Sequence, residues 1–489
     1  MSDQEIPGHL PRGRACQACR ENECVFVPGP APSNSRMLEQ EIRRLESQIR
    51  QLELRGGRIQ TSGATSSSQL LATNCVLCPS GQPSFSHVRF QAFLPHAVKF
   101  GFFLDIHRFL SNLANTHAGN NIPAALRNTV YLWSVHIIPE QRTHEEIFLT
   151  RALQTLPEAL HKPTDVLYAI QAEILLAYYF FDSNRLLEGQ QHVTGALSLA
   201  RSCKLHKTGP GLNALHTSLP PPLDSTEEQE RVNAWWQLFA LEKAWTAASD
   251  VPSLIIEEGV DSVIDTPWPR DPNGSQSAYG QTVQRFMTNV TSDRTNEPLA
   301  YYAKAAFLYE RATYLSSLLG ENSLAGADLH ALVANLDTSI EYFKRAIPAL
   351  GQPDTASSAV RHHLLVIHTL VQCSTIALHK GTALRDMASF LRCVTAANTI
   401  ASTVNAIPFE NIAPVNPILA VTASTAHEVL MSAWRMSRTF TDATPGLPGE
   451  DVLLLGLGAL KKFLAHFAGA GSPLFISRLN SVHAAEQTL

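Results

Sequence analysis

Several things are missing from this chain, and each absence narrows its function. No apolar run in its 489 residues is read as long enough to cross a bilayer. The first residues, Met-Ser-Asp-Gln-Glu-Ile-Pro, are acidic and lack the apolar stretch of a secretory signal, so a soluble intracellular protein without a membrane role is expected. Cysteine is sparse: eight residues without a framework spacing fit a reducing compartment, where thiols serve as metal ligands or small core residues. Lysine is absent before Lys99, and the net charge is -5, which argues against nucleic-acid contact over the whole surface and leaves only a local patch. Catalytic signatures are lacking too. There is no Gly-rich Lys loop after a strand and no Gly-x-Ser-x-Gly elbow; Gly456-Leu-Gly458 sits in an apolar helical pattern, and His144-Glu-Glu has no second His at helical spacing. No enzyme is expected.

What is present begins with a compact head, Arg14-Ala-Cys16-Gln-Ala-Cys19-Arg20-Glu-Asn-Glu-Cys24-Val-Phe26, followed by the Pro-rich stretch 28–35. A helix is expected from Ser35, a plausible N-cap, with Leu38, Ile42, Leu45, Ile49 and Leu52 spaced alternately by four and three residues. Leu at d and Ile at a favour a parallel two-stranded coiled coil, and Glu39/Arg43 and Glu46/Arg50 add i,i+4 support. Glu41 at g would face Glu46 at e of the partner, an unfavourable like-charge pair. Residues 36–54 are therefore read as a dimerisation helix, the other reading being a lone amphipathic helix docked on its own domain. Residues 55–89, rich in Gly, Ser and Thr, read as a flexible linker.

The head resembles the fungal binuclear zinc-cluster transcription factors, whose six Cys thiolates hold two zinc ions and present a short basic helix to the DNA major groove. Cys16, Cys19 and Arg20 match the opening of that motif, and Cys24 and Phe26 its close. The basic run, the third to fifth cysteines and the Pro loop have no counterpart, so residues 1–30 are read as a truncated cluster. An alternative alignment makes Cys16, Cys19 and Cys24 the last three ligands, with a gap from Cys19 to Cys24 unusually short for the family. A skipped exon, a faulty gene model or a genuine isoform would each produce the missing piece. A structural zinc site closes with four ligands, so three thiolates cannot hold two zincs; one zinc would need a borrowed fourth ligand, for which Cys75-Val-Leu-Cys78 is the other close pair. From the resemblance follow Cys16, Cys19 and Cys24 as zinc ligands, Arg14 and Arg20 as DNA contacts, and zinc as the cofactor.

From residue 90 onward amphipathic helical patterns follow one another with almost no period-two alternation, which predicts an all-α fold. Residues 93–109 and Leu132-Trp-Ser-Val-His136 resemble the regulatory domain of the same fungal family. Residues 170–180, Asp182-Ser-Asn-Arg185 and Glu188-Gly189 look like that domain's αα-hairpin, with Ile170, Ile174, Tyr178 and Phe181 on one face and Leu187, Val193 and Leu197 on the return helix. Its signature helix is matched by residues 230–245, where Val232, Trp235, Trp236 and Phe239 form an apolar stripe. Relatives usually carry Gly-Arg-Pro or Gly-Ser-Pro after that helix; this chain has Asp250-Val251-Pro252. Residues 207–223 and 269–296 read as surface loops. Later helices are expected at 301–319, 329–350, 360–378, 387–404 and 417–434, and the last at 452–467. His362, His363 and His368 are read as packing or surface residues.

The resemblance implies a nuclear, dimeric, DNA-binding regulator of RNA polymerase II genes that works with the transcription machinery, its DNA binding impaired by the incomplete cluster. The rival reading is a helical interaction protein that pairs with intact family members without touching DNA.

Overall fold

The computed structural model describes residues 19–20, 23–24, 90, 92–114, 122–207, 219–255, 263–269, 282–288, 297–321, 327–350, 358–409, 412–439 and 446–487. Two compact units are separated between Ser84 and Phe85. In the first, β1 (Cys19–Arg20) pairs antiparallel with β2 (Glu23–Cys24), Cys19 opposite Cys24 and Arg20 opposite Glu23. Two of the three expected zinc ligands thus occupy facing register positions. Arg14, Cys16, the Cys75/Cys78 pair, the helix of residues 36–54 with Leu38, Ile42, Leu45, Ile49 and Leu52, and the linker of residues 55–89 lie outside the described residues.

The second unit is all-α among its described residues. A 3-10 helix, Leu94–Phe100, leads into α1 (Ile106–Ala114), α2 (Ala124–Ile137) and α3 (Glu145–Thr155). The expected αα-hairpin follows as α4 (Val166–Asp182) and α5 (Leu186–Ser202), with Asn184 at φ 58° in the turn between them. Ile170, Ile174, Tyr178 and Phe181 are all buried, as are Val193 and Leu197 on the return helix. Leu187 is not part of that face: it is 87% exposed, while Leu186 and Gly189 of the same turn pack on the core, Gly189 against Phe181 of α4.

Helix α6 (Ser225–Ser249) is the centre of the unit. Its start is fixed by Asp224, which accepts from the Glu227 amide at 2.8 Å, while the Glu227 carboxylate accepts from the Leu223 amide at 3.0 Å. The apolar stripe of Val232, Trp235, Trp236 and Phe239 is buried, but burial extends round the helix and takes in Glu242 and Lys243. These charges survive there because each is satisfied. The Lys243 ammonium donates to Glu310 and to the Ile255 carbonyl, both at 3.1 Å, and Glu242 accepts from the Leu254 amide at 2.6 Å and the Ser253 hydroxyl at 2.9 Å. Trp236 donates its indole N–H to the Pro267 carbonyl at 2.6 Å and stacks on Trp268 at 4.0 Å, which seats the Pro267-Trp268-Pro269 segment on α6.

Residues 269–296, expected as loop, contain a short helix, α7 (Thr282–Thr288). Val283 and Phe286 are buried, with Phe286 edge-on to Trp268; seven residues are too few to display a helical period in the sequence. The later helices are α8 (Pro298–Glu321), α9 (Ala327–Ala346), α10 (Ser358–Lys380), α11 (Met387–Asn405), α12 (Ile418–Thr439) and α13 (Glu450–Gly469), each starting within one turn of its expected position. The last expectation needs correcting, since α14 (Pro473–Gln487) follows α13. It buries only Leu474, Phe475 and Val482, a pattern too thin to stand out from sequence.

Helix α13 corrects a second expectation. With a mean hydropathy of 1.4 over a window of its 20 residues, it is long and apolar enough to cross a membrane, and 44% of that window is buried. Here Leu453, Leu460, Phe463 and Leu464 pack into the core, so the apolar run is that of a core helix whose other side keeps Leu454 and Leu455 exposed.

Candidate ligand cleft

The 3-10 helix ends at Gly101, at φ 75°, a left-handed conformation that glycine adopts without steric cost. A Cβ at that position would lie 2.8 Å from the Gln237 amide nitrogen and 2.9 Å from the Tyr178 ring, so only glycine lets α4 and α6 close on the turn. Gln171 of α4 then fixes the emerging strand-like segment. It accepts from the Phe103 amide at 2.7 Å and donates to the Gly101 carbonyl at 3.1 Å. Glu230 holds the Asp105 amide at 2.9 Å.

Beside this turn lies a cleft of about 280 Å3, walled by Val98, Phe102 and Phe103 from the turn, by α6, by the start of α8 and by the start of α10. Helix α6 contributes Gln229, Asn233 and Gln237, four residues apart and therefore on one face. Gln229 donates to Asn233 at 2.9 Å, and Gln237 donates at the base of the cleft to the Tyr178 hydroxyl at 3.3 Å. Tyr178 in turn meets the Tyr302 hydroxyl at 3.3 Å. Glu297, Pro298 and Leu299 form the α8 side, and Ala359, Val360 and His363 the α10 side.

Below the cleft is a chamber of about 10 Å3, lined in part by Lys99, Tyr178, Tyr302, His362 and Asn416. That is room for about one water molecule. Lys99 is 2% exposed and donates to the Ile412 carbonyl at 2.9 Å and the Ala413 carbonyl at 3.1 Å. Burial brings its ammonium down to about 8. Burial, with the neighbouring Lys99 charge, also takes His96 down to about 4. His362 accepts from the Asn416 amide at 2.9 Å and is held well below the ordinary histidine value by burial and by its neighbours His363, Lys99 and His96. Burial likewise lowers His363, with the hydrogen bond to Ala359 opposing it. Its Nδ1 lies 3.2 Å from the Ala359 carbonyl and must carry the proton there, which leaves Nε2 an acceptor with no protein partner among the described residues. His368 bonds the Pro348 carbonyl at 2.9 Å, so each of the three histidines bonds a backbone group through one ring nitrogen.

The described lining of this cleft includes none of the residues expected from sequence to carry function. Cys19, Arg20 and Cys24 lie in the β1/β2 pair, and Arg14 and Cys16 lie outside the described residues. No group of three or more His, Cys, Asp or Glu side chains suited to a metal occurs among the described residues. Sequence reasoning missed Gln229, Asn233 and Gln237, although their spacing of four was a readable polar line beside the Trp stripe. Lys99 also left a signal, as a lone lysine within the apolar run 93–104.

Residues 86–320 match the family model described as the fungal specific transcription factor domain, and no curated protein matches the chain. The matched span runs from the segment before the 3-10 helix to the end of α8 and includes the αα-hairpin and α6. It supports a general role in transcription regulation, and the family is a transcription factor domain, not an enzyme family.

Proposed function

We propose that this chain is a nuclear transcription regulator of RNA polymerase II genes, dimeric through residues 36–54, whose helical body controls a DNA-binding head of residues 1–30. The match of residues 86–320 to the fungal specific transcription factor domain carries this reading. In the head, Cys16, Cys19 and Cys24 would be the zinc ligands and Arg14 and Arg20 the DNA contacts; three thiolates cannot hold two zincs and would need a fourth ligand to close even one site, so DNA binding is weak and indifferent to sequence. The same shortage of ligands favours a second reading, a partner that pairs with intact relatives through Leu38, Ile42, Leu45, Ile49 and Leu52 without contacting DNA itself.

The test is a salt-titrated DNA-binding assay on the full chain beside metal analysis by mass spectrometry. The chain as it stands should bind less than two zincs and show no sequence preference, whereas a version with the absent cluster segment restored from its gene should bind two zincs and select a short site. Tight, sequence-selective binding by the unrestored chain would overturn the claim of an impaired head. Failure of the restored chain to bind would overturn the DNA-binding reading itself.

A further inference from the structure

Helix α13 buries one side and leaves the other outside along its whole length. Asp451, Leu455, Gly458, Lys462, Ala465 and Gly469 are all exposed, and their spacing alternates four and three residues, so they line up as one seam on the outer side of the helix. Leu455 stands out from this seam, 69% exposed. Gly458, the next residue along it, has open space in front: a Cβ added there would meet nothing within 4 Å. Two opposite charges flank this pair, Asp451 one turn before Leu455 and Lys462 one turn after Gly458. Neither has an ion-pair partner among the described residues; Lys462 has only the Phe409 ring, 5.8 Å away.

The seam is complementary to itself when reversed. Residues 451 and 462 are equally far from a point midway along the helix that 455 and 458 also share. A second α13 laid antiparallel across a two-fold axis at that point sets Asp451 against the partner's Lys462 and Leu455 over the partner's Gly458, a projecting side chain over a residue that has none. Each contact then occurs twice, as in any isologous interface. Charge selects this register. A parallel pair would set like against like, and an antiparallel pair centred on residue 460 would bring the two Lys462 side chains within about a turn of each other and leave Asp451 without a cation.

We propose that the exposed seam of α13 is a self-association face whose occupant is a second copy of this chain, antiparallel and two-fold, with Leu455 seated on Gly458 and Asp451 paired with Lys462. The proposal goes beyond association through residues 36–54 and does not rest on it. One side of one helix buries less than the roughly 1,200 Å2 of a stable interface, so the contact is weak alone and strengthens wherever another contact already holds two copies together.

The test is disulfide trapping in the full chain carrying Asp451→Cys and Lys462→Cys. These positions lie about 16 Å apart on one helix, too far for a bridge within a chain, so a 451–462 link forms only between two copies. Ile42→Lys and Ile49→Lys are included, which separates failure of the coiled coil from failure of this face. After mild oxidation at high micromolar concentration, mass spectrometry of linked peptides should find 451–462 links in excess of 451–451 and 462–462 links. Leu455→Glu, at an exposed position, should lower the yield of 451–462 links by about tenfold. Gly458→Glu repeats that comparison by filling the space meant for the partner's Leu455, and melting curves establish that each variant is folded. The proposal is overturned if 451–462 links do not exceed the other pairings, if the introduced thiols link instead to a native cysteine within residues 1–84, or if neither seam variant changes the yield.

Discussion

His136 of α2 and Asp182 at the end of α4 meet inside the protein, Nε2 to Oδ2 at 2.9 Å. The contact extends in two directions. Asp182 also accepts from the Ser472 hydroxyl at 2.8 Å, where the chain turns from α13 into α14, and His136 Nδ1 lies 3.2 Å from Glu145, which accepts from the Tyr179 hydroxyl at 2.9 Å. Arg142 completes the clasp by donating to the Ala470 and Gly471 carbonyls, both at 2.9 Å. Gly471, at φ 89°, permits that approach, since a Cβ there would run into the guanidinium. A long-range polar cluster thus fastens the C-terminal helices to the middle of the chain.

The cluster predicts an alkaline loss of stability. Burial alone would depress His136, but the hydrogen bond to Asp182 and the adjoining carboxylate charges outweigh it and raise the imidazolium to about 9. A folded value above the unfolded one means stabilisation that is fully present below about pH 6.5 and lost as pH rises through about 9. Glu145 acts in the opposite sense: burial would raise it, the His136 contact holds it below the usual range, and its contribution is lost only as pH falls through that lowered value. Urea midpoints should fall between pH 6.5 and 8 by an amount equivalent to about 2 kcal/mol at most, the window below the lowered Lys99 value of about 8. In His136→Phe the midpoint should be lower at pH 6 and should not fall between pH 6.5 and 8; above about pH 8 Lys99, whose ammonium burial brings down to about 8, adds stability in both proteins. A parent chain whose midpoint is flat from pH 6.5 to 8 would remove the imidazolium from the account.

Asp250 should be improvable. It caps α6 at φ 53° in the left-handed region, at the position where the resemblance expects glycine, and its amide is followed by a Val251 N–H bonded to the Thr246 carbonyl at 3.2 Å. Asp250→Gly should stabilise by about 0.5–1 kcal/mol, and Asp250→Val should destabilise by about 1–2 kcal/mol. The check is the shift in thermal midpoint; a lower midpoint for the glycine variant would contradict the strain argument.

Trp236 should be among the costliest residues to truncate. It is buried, stacked on Trp268 and bonded to the Pro267 carbonyl. Trp236→Ala should cost about 3–5 kcal/mol by chemical denaturation. Trp236→Phe keeps an aromatic ring but strands the Pro267 carbonyl, and should cost about 1–3 kcal/mol for that loss. An unchanged midpoint in the alanine variant would show that α6 is not the centre of the fold.

Association should run through residues 36–54. Ile42→Lys combined with Ile49→Lys places two charges at a positions and should convert a dimer to a monomer in analytical ultracentrifugation of the full chain at micromolar concentration. If the parent is already a monomer under those conditions, the coiled-coil proposal fails.

The sequence by itself determined that the body is helical, because a 3.6-residue period is a local property. The hairpin of α4 and α5, the Trp stripe of α6 and the starts of α8 to α13 could all be read from it. It could not supply α7 or α14, whose few buried residues gain meaning only against Trp268 or the α13 face. Nor could it reveal that Glu242 and Lys243 are interior: local pattern places charges outside, and Glu310 from a helix distant in sequence, together with the Ile255 carbonyl, helps make burial of Lys243 tolerable. The cleft belongs wholly to tertiary structure. Val98, Gln237, Leu299 and His363 lie far apart in sequence and share no motif, and Gly101 lets their elements approach closely enough to enclose a common space. Periodicity encodes which face of a helix avoids water, whereas the partner that face meets, and the polar groups left turned into the gap, depend on how the helices cross.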